Sequence, residues 1–182
     1  MSIGRLWAGW RMPYVSGVTE GAAEGQRGSG VGTEATEHRC IFCEILASAT
    51  PERDTYVVWR GARCAAVLNA YPYASGHLLV MPTRHVGEIA ELTGAESAGL
   101  WAAMTDAVKA LRAAYQPEGL NVGFNLGRAA GAGIPDHLHA HVVPRWMGDT
   151  NFMTTLAETR VLPESLGVTW DRLRAAWPAV TP

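Results

Sequence analysis

Three of the six histidines of this 182-residue chain stand at alternate positions of one short segment, DHLHAHVVPRW, residues 136–146. If the segment forms a strand, alternate side chains share a face, so His137, His139 and His141 line one surface. Imidazole serves as a metal ligand and as an acid, base or nucleophile near neutral pH. The spacing therefore predicts a strand whose histidines bind a metal or take part in catalysis.

Three interpretations of the aligned histidines compete. The first is a half-buried strand that holds them by coincidence, a poor account of three histidines within five residues. The second is a metal site, because imidazoles at positions i and i+2 of a strand can both reach a zinc ion. The third is nucleophilic catalysis, in which one neutral imidazole attacks phosphorus and its neighbours orient the substrate and donate to the leaving oxygen.

The segment before the histidines favours the third interpretation. Residues 125–136, NLGRAAGAGIPD, contain Gly127, Gly131 and Gly133. Glycine permits close approach of a ligand to the backbone, and exposed backbone N–H groups bind anions. A glycine-rich loop alone is a weak signal, but together with aligned histidines it predicts a phosphate site that faces a nucleophile.

The elements that position these residues follow from hydrophobic patterning. Short β-branched or apolar runs bounded by Gly, Pro and Asn predict strands, and apolar residues at spacings of three and four predict an amphipathic helix. The predicted strands are 55–60, 64–69, 77–82, 120–127 and 137–144, and the predicted helices are 95–115 and a short one that begins near Thr169. This order predicts an α+β fold, with one antiparallel sheet of about five strands and one long helix on a face.

Length, composition and charge restrict the class of protein. The length suits one compact domain, and 48% of the residues are hydrophobic. A net charge of -2 and a pI near 6.3 argue against a nucleic-acid polymer as partner. No segment reaches the roughly 18 consecutive apolar residues that span a bilayer, and no signal peptide is evident. We expect a cytoplasmic protein with no membrane partner.

Residues 1–37 contain no periodic pattern beyond an apolar arm. Residues 1–16 include several aromatic side chains, residues 17–37 are rich in Gly, Glu, Ser and Thr, and the patterned body occupies residues 38–182. The sequence thus predicts an arm, a flexible linker and a catalytic domain with a C-terminal tail. An apolar arm needs a surface and edge strands need cover, so we expect a two-fold homodimer.

Two of the three cysteines form the pair CIFC. Cys40 and Cys43 have the C-x-x-C spacing of zinc sites, but a tetrahedral site needs two further ligands, for which the distant His85 is a candidate. A redox or plain thiol pair is the alternative. Cys64, within the apolar run CAAVLN, is expected to be a buried core thiol.

Two motifs resemble those of a known family. HLHAHVV is similar to the His-x-His-x-His signature of the histidine triad (HIT) nucleotide hydrolases and transferases, and SGHLLVMP resembles the strand that accompanies it. The resemblance covers roughly residues 40–146 and implies a HIT-like fold. It implies that His139 is the nucleophile that accepts a nucleoside 5'-phosphoryl group. His141 then contacts the phosphate and leaving group, and His77 is the fourth histidine beside the triad.

The resemblance also implies a nucleotide pocket. Asn69 corresponds to the family's ribose-binding Asn or Asp, and Asn125 to a polar contact of the α-phosphate. Phe42 and Ile45 resemble the apolar residues that stack on the base, with a role in the core as the alternative. Gly131 and Gly133 complete the candidate nucleotide-binding residues.

One departure from the family pattern concerns the phosphate site. Many members carry Gln-Ser or Gln-Thr shortly before the triad, whereas this chain has Gly133 and Ile134. The hydroxyl donor is lost at this position, so backbone N–H groups would have to replace it.

The zinc-containing members of the family imply a complete ligand set. Carried over, the ligands are Cys40, Cys43, His85 and His137. A four-coordinate site of this kind is structural, because it leaves no open position for water. The alternative is a metal-free site in which His137 supports His139 directly.

The resemblance implies a class of reaction. The uridylyl-transferring relatives have Gln in the third triad position, so His141 indicates a hydrolase or phosphorylase. The chain also resembles the bacterial branch that contains diadenosine tetraphosphate phosphorylases. This implies attack on the α-phosphate of a dinucleoside polyphosphate, with inorganic phosphate or water as the second acceptor. The alternatives are an adenosine 5'-phosphoramidate hydrolase and, in another class, a nucleotide-binding or sensing module with little turnover.

Overall fold

A five-stranded antiparallel sheet is the central element of the computed structural model, which describes residues 40–149 and 163–179. Its spatial order is β1-β2-β3-β5-β4. The strands are β1 Val57–Arg60, β2 Cys64–Leu68, β3 Leu78–Pro82, β4 Gly119–Phe124 and β5 Ala140–Arg145. The α-helices are α1 Ile41–Ala47, α2 Gly94–Tyr115 and α3 Leu166–Ala176, and single 3-10 turns form at Ile89–Glu91 and Arg128–Ala130.

One face of the sheet carries the main core. Alternate residues of β2, β3 and β5 pack against α2 and α3, and the fully buried members include Leu78, Val80, Leu111 and Leu173. The start of α2 is fixed by a capping box, because the side chains of Thr93 and Glu96 each accept from the other residue's backbone N–H. The long helix α2 therefore packs on the face of the sheet opposite to the histidines.

The opposite face carries a smaller apolar cluster and the triad. Val57, Val67, Leu79 and Met81 alternate with the main-core residues and pack with Phe42 of α1. His139 and His141 alternate with buried residues of the main core in the same way. The histidines and α1 therefore lie on the same side of the sheet.

The two edge strands differ in how they are covered. At the β1 edge, Trp170 Nε1 donates to the Val57 carbonyl at 2.8 Å and an Arg174 guanidinium nitrogen donates to the Val58 carbonyl at 2.7 Å. Arg53 and Asp171 form a two-bond ion pair between the same regions. At the other edge, residues 121–123 of β4 are exposed. Helix α3 thus covers one edge of the sheet, which limits pairing with another chain there.

The predicted fold is confirmed, with shifts at element ends. The strand expected from residue 137 begins at Ala140, where pairing with β3 starts, and Leu138 instead donates its N–H to the Val86 carbonyl at 2.7 Å. The last helix begins at Leu166 behind the N-cap Ser165, three residues before the expected start. Helix α1 was not predicted, because seven residues are too short to show a period.

Two further expectations concern the ends of the chain and the membrane. The predicted arm (1–16) and linker (17–37) lie outside the described residues. Among the helices in the described parts of the chain, none is long and apolar enough to cross a membrane.

Candidate active site and metal-binding cluster

Four potential metal ligands meet between α1 and the triad segment. One ligand atom from each of Cys40, Cys43, His85 and His137 lies within 4.8 Å of all the others. The Cys40 sulfur is 3.3 Å from His137 Nδ1, and the Cys43 sulfur is 3.3 Å from His85 Nδ1 and 3.6 Å from His137 Nδ1. Two sulfurs and two imidazole nitrogens are a donor set that suits tetrahedral zinc. The structure therefore brings together all four residues that the sequence nominated as ligands.

The protonation pattern around His137 fits a metal site. Its Nε2–H donates to the Pro82 carbonyl at 2.9 Å, so the unprotonated Nδ1 faces the two sulfurs. Burial lowers the pKa of His137, which keeps the ring neutral. Burial, with a contribution from Cys40, raises the pKa of the Cys43 thiol. A bound cation would oppose this shift, because a metal binds the thiolate.

The loop that carries His85 is anchored on two sides. The guanidinium of the preceding Arg84 donates to both carboxylate oxygens of Glu96, at 2.7 and 2.8 Å, and lowers the pKa of that carboxyl to about 2. On the other side, the Val86 carbonyl accepts from Leu138 in the triad segment. Although His85 itself is exposed, the loop that carries it is therefore held by both α2 and the triad segment.

His139 has the hydrogen bonding of a neutral nucleophile. Its Nδ1–H donates to the His137 carbonyl at 2.7 Å, which leaves the lone pair on Nε2. Burial lowers the pKa of His139, and the residue is 7% exposed. The Phe42 ring lies 5.1 Å from the His139 ring in an edge contact. The ring is thus oriented, unprotonated at Nε2 and largely shielded from water.

His77 and His141 form a hydrogen-bonded pair next to His139. The Tyr73 backbone N–H donates to His77 Nδ1 at 3.1 Å, so in neutral His77 the proton is on Nε2, which donates to His141 Nδ1 at 2.9 Å. The proton of neutral His141 is then on Nε2, and this buried nitrogen has no partner among the described residues. The His141 ring lies 5.1 Å from His139 and stacks on Tyr73 at 6.0 Å. A hydrogen-bond donor is thereby held beside His139.

Two of the predicted nucleoside-binding residues, Asn69 and Phe42, contact the histidines. Asn69 is half-buried at the end of β2, and its Nδ2 lies 3.3 Å from His77 Nδ1. Phe42 is buried and contacts the rings of both His137 and His139, whereas Ile45 is half-buried beside the same apolar cluster. The structure places Phe42 in the smaller core, and the sequence did not single out Tyr73 as a neighbour of the histidines.

The glycine-rich segment follows β4. Asn125 comes one residue after the last pair of the β4–β5 ladder, Phe124 with Ala140, and its Nδ2 lies 3.5 Å from the Gly131 carbonyl. Gly131 has φ 91°, a conformation that other residues rarely adopt. Gly133 is exposed in the same segment. Because residue 125 lies opposite residue 139 in this register, the loop begins beside His139.

Protonation of His141 is expected to link stability to pH. Its pKa is lowered from 6.5 to about 4, chiefly by burial and next by His139. Between these values the unfolded chain binds more protons than the folded one, so the free energy of unfolding should fall as the pH decreases through this window. Urea unfolding at constant zinc concentration tests this, and the slope should be smaller in His141→Gln. Equal slopes in the two proteins would contradict this linkage.

The chain is similar to known proteins over the region just described. The HIT domain family model matches residues 50–147. Among curated relatives, the AP-4-A phosphorylase of Mycobacterium tuberculosis (strain ATCC 25618 / H37Rv) is 39% identical over 173 residues, which is 95% of this chain and 84% of that protein. The Bacillus subtilis (strain 168) "Protein hit" is 32% identical over 107 residues, 59% of this chain and 71% of that protein.

Solved structures agree in fold, and one of them is a Zn-bound protein. A Zn-bound histidine triad family protein from Mycobacterium smegmatis matches with a TM-score of 0.61 and 29% identity, covering 75% of this chain and 91% of that chain. A hypothetical histidine triad nucleotide-binding protein from Sulfolobus tokodaii strain7 gives the same four values. Both likenesses cover most of the neighbouring chains.

The family expected from the sequence is therefore confirmed, and with it the class of enzyme, a hydrolase or nucleotidyltransferase. The match includes the triad and the accompanying strand, and it extends to a named enzyme over nearly the whole chain. The chain belongs to the HIT domain family.

Proposed function

We propose that this protein is a dinucleoside tetraphosphate phosphorylase that works through a nucleotidyl-histidine intermediate on His139. The observation that carries the proposal is the arrangement of two neutral histidines, with an unprotonated Nε2 on His139 and a buried, unpartnered Nε2–H on His141. The similarity to an AP-4-A phosphorylase over 95% of the chain supports this substrate class.

In the first step, His139 Nε2 attacks the α-phosphorus of diadenosine tetraphosphate. The N–P bond forms as the P–O bond to the β-phosphate breaks, and the departing ATP oxygen takes the electron pair. The low pKa of His139 keeps its Nε2 unprotonated at neutral pH, which this attack requires. The hydrogen bond from Nδ1 to the His137 carbonyl stabilises the positive charge that develops on the ring.

His141 is the donor for the phosphoryl and leaving oxygens in this proposal. Its Nε2–H faces no other protein acceptor among the described residues, so it is available to a substrate oxygen. Backbone N–H groups of the glycine-rich segment, with Gly131 and Gly133, and the Asn125 amide would bind the α-phosphate. In the second step, an oxygen of inorganic phosphate attacks the same phosphorus, the N–P bond breaks and ADP leaves.

The nucleoside would occupy the side of the site next to α1. Phe42 presents an aromatic edge at the triad, and Ile45 extends the apolar surface beyond it. We infer that these side chains contact the base and that the Asn69 amide bonds the ribose hydroxyls.

We also propose that Cys40, Cys43, His85 and His137 bind zinc. The metal would hold α1 and the His85 loop against the triad segment, a structural contribution to the site. The His137 ring would then bind the metal through Nδ1, and the His137 backbone carbonyl would accept the hydrogen bond from His139 Nδ1.

Product analysis tests the proposed reaction. We expect purified protein with diadenosine tetraphosphate and inorganic phosphate to form ADP and ATP in equal amounts. AMP and ATP formed at the same rate with and without phosphate would identify a hydrolase instead. The absence of turnover, with rapid cleavage of adenosine 5'-phosphoramidate, would favour that alternative, and tight nucleotide binding with neither reaction would favour a sensing module.

The expected homodimer and the division of the chain remain part of this proposal. The exposed β4 edge is consistent with pairing to a second copy. We propose that residues 38–182 are the catalytic domain and that residues 1–16 are an arm joined to it by a linker of residues 17–37. Light scattering of the purified protein would give the mass of the assembly directly.

A further inference from the structure

The phosphates of the proposed substrate carry negative charge that the triad does not balance. Each phosphate of diadenosine tetraphosphate is negatively charged at neutral pH, whereas burial lowers the pKa of both His139 and His141 and keeps the two rings neutral. Asn125, at the start of the glycine-rich segment, offers an uncharged amide. A fixed cation beside these residues would stabilise a bound polyphosphate, because cationic side chains form strong, charge-assisted hydrogen bonds with phosphate oxygens.

Most cationic side chains in the described parts of the chain are paired with a carboxylate. The paired ones are Arg53, Arg60, Arg84, Lys109, Arg145, Arg172 and Arg174. Arg63, Arg112 and Arg128 form no ion pair with a described residue. Arg63 lies beside Gly99 of α2 and Arg112 lies in the last turn of α2, which packs on the face of the sheet opposite to the triad. Of these three, Arg128 belongs to the segment that begins beside His139.

The turn that contains Arg128 uses several of its own backbone donors. The N–H groups of Ala130 and Ala132 donate to the Gly127 carbonyl at 3.2 and 3.3 Å, and that of Gly131 donates to the Arg128 carbonyl at 2.9 Å. An N–H group that bonds inside the turn is not free to bind an anion as well. The turn is therefore a compact support for the Arg128 side chain, with few backbone donors left for a phosphate.

The segment after this turn is anchored on the triad face of the sheet. Ala132 is buried, and Ile134 packs against the apolar cluster that contains Phe42. Neither Gly133 nor Ile134 carries a polar side chain. Arg128 itself is exposed, so its guanidinium is accessible to a ligand. Within residues 125–134, Arg128 is thus the charged side chain that a phosphate can meet.

The geometry of phosphoryl transfer determines which phosphates lie on which side of the reacting atom. In each half of the reaction, the attacking and leaving atoms lie on opposite sides of the phosphorus. ATP therefore departs from the side opposite His139 Nε2, and the inorganic phosphate that later displaces His139 enters from that same side. One anion-binding group can consequently serve both the leaving nucleotide and the acceptor.

We propose that Arg128 is a specificity-determining residue whose guanidinium binds the phosphates of the departing ATP and then the inorganic phosphate that takes their place. Its donors match phosphate oxygens in bidentate geometry, whereas a neutral water molecule gains much less from a cation. The residue would thereby favour phosphate over water as the acceptor of the adenylyl group. The inference rests on the proposed function for the identity of the two anions.

Product ratios of Arg128→Ala test the choice of acceptor. We expect the KM for inorganic phosphate to rise about tenfold, the effect of losing one charge-assisted contact, and the AMP share of the products to rise at a fixed phosphate concentration. Arg128→Lys should be intermediate, because it keeps the charge without the bidentate geometry. Arg112→Ala is the matched control and should give wild-type ratios. An unchanged phosphate KM and an unchanged AMP share in Arg128→Ala would overturn the inference.

Nucleotide binding without turnover provides a second, independent measurement. In a His139→Ala background, which cannot form the N–P bond, calorimetric titration compares ATP with AMP. The further change Arg128→Ala should weaken ATP binding about tenfold and leave AMP binding unchanged, because only ATP has phosphates beyond the α-position. Equal affinities for ATP with and without Arg128, or an equal loss for AMP, would overturn the inference. If the wild type forms no ADP from phosphate, the proposed function fails, and the difference between ATP and AMP still decides whether Arg128 binds these phosphates.

Discussion

Replacement of His139 by alanine is expected to reduce turnover of diadenosine tetraphosphate by about 10⁴-fold or more. The variant loses the atom that forms the N–P bond, and no other described imidazole has the same position. His141 is turned the wrong way for this role, because its Nδ1 is occupied by His77 and its Nε2 carries the proton. Steady-state rates with saturating inorganic phosphate measure the effect.

Controls for His139→Ala are its nucleotide affinity and its zinc content. Both should match the wild type, because His139 contributes neither to the metal cluster nor to the amide contacts at Asn69. A variant that retains more than about a tenth of wild-type kcat would rule out a covalent role for His139.

Replacement of Cys43 by serine is expected to abolish zinc binding and to destabilise the protein by about 3 kcal/mol or more. The Cys43 sulfur lies near both histidine nitrogens of the cluster, so its loss removes the ligand most central to the set. Metal analysis should give one zinc per wild-type chain and none in the variant. Urea unfolding measures the difference in free energy.

Cys64→Ala is the matched control for the metal prediction. Cys64 is 2% exposed in the main core, and burial raises the pKa of its thiol to about 11. We expect this variant to lose some stability through its smaller side chain but to keep one zinc per chain. A structural metal at Cys40, Cys43, His85 and His137 would be contradicted if the wild-type protein bound no zinc and had the same free energy of unfolding as Cys43→Ser.

The sequence predicted the triad face well because a period of two is a local property of a strand. His139 and His141 alternate with core residues as expected, and His137 shares their side although it precedes the regular ladder. The C-x-x-C pair was equally readable from local spacing. His85 lies 42 positions from Cys43 in the chain. The sequence alone offered it as one candidate ligand, and the family resemblance supplied the complete set.

The groups that determine the protonation of the site histidines could not be predicted from the sequence. Tyr73 acts through its backbone N–H and the stacking of its ring, and neither contact depends on a recognisable motif. The ion pair of Arg84 with Glu96 joins the His85 loop to the first turn of α2 across 12 positions. The capping box of Thr93 and Glu96 at the start of α2 was not predicted either, and its link to the His85 loop forms only in the folded chain.

The roles of the loop residues also depend on the fold. Asn69 looked like a ribose ligand from its position after β2, whereas the structure adds a contact with His77. Phe42 lies in an unpredicted short helix, and its burial follows from packing of α1 on the sheet. The Asn69 contact with His77 and the burial of Phe42 therefore depend on long-range packing, which local spacing in the sequence does not predict.

The most direct test of the account is to trap the intermediate. Purified protein is mixed with diadenosine tetraphosphate without inorganic phosphate, quenched within one turnover under conditions that preserve N–P bonds, and digested for mass spectrometry. We expect one adenylyl group on the peptide that contains His139, lost when inorganic phosphate is added before the quench and absent in His139→Ala. Turnover with no adenylylated peptide, or adenylylation of His77 or His141 instead, would contradict a nucleotidyl intermediate on His139.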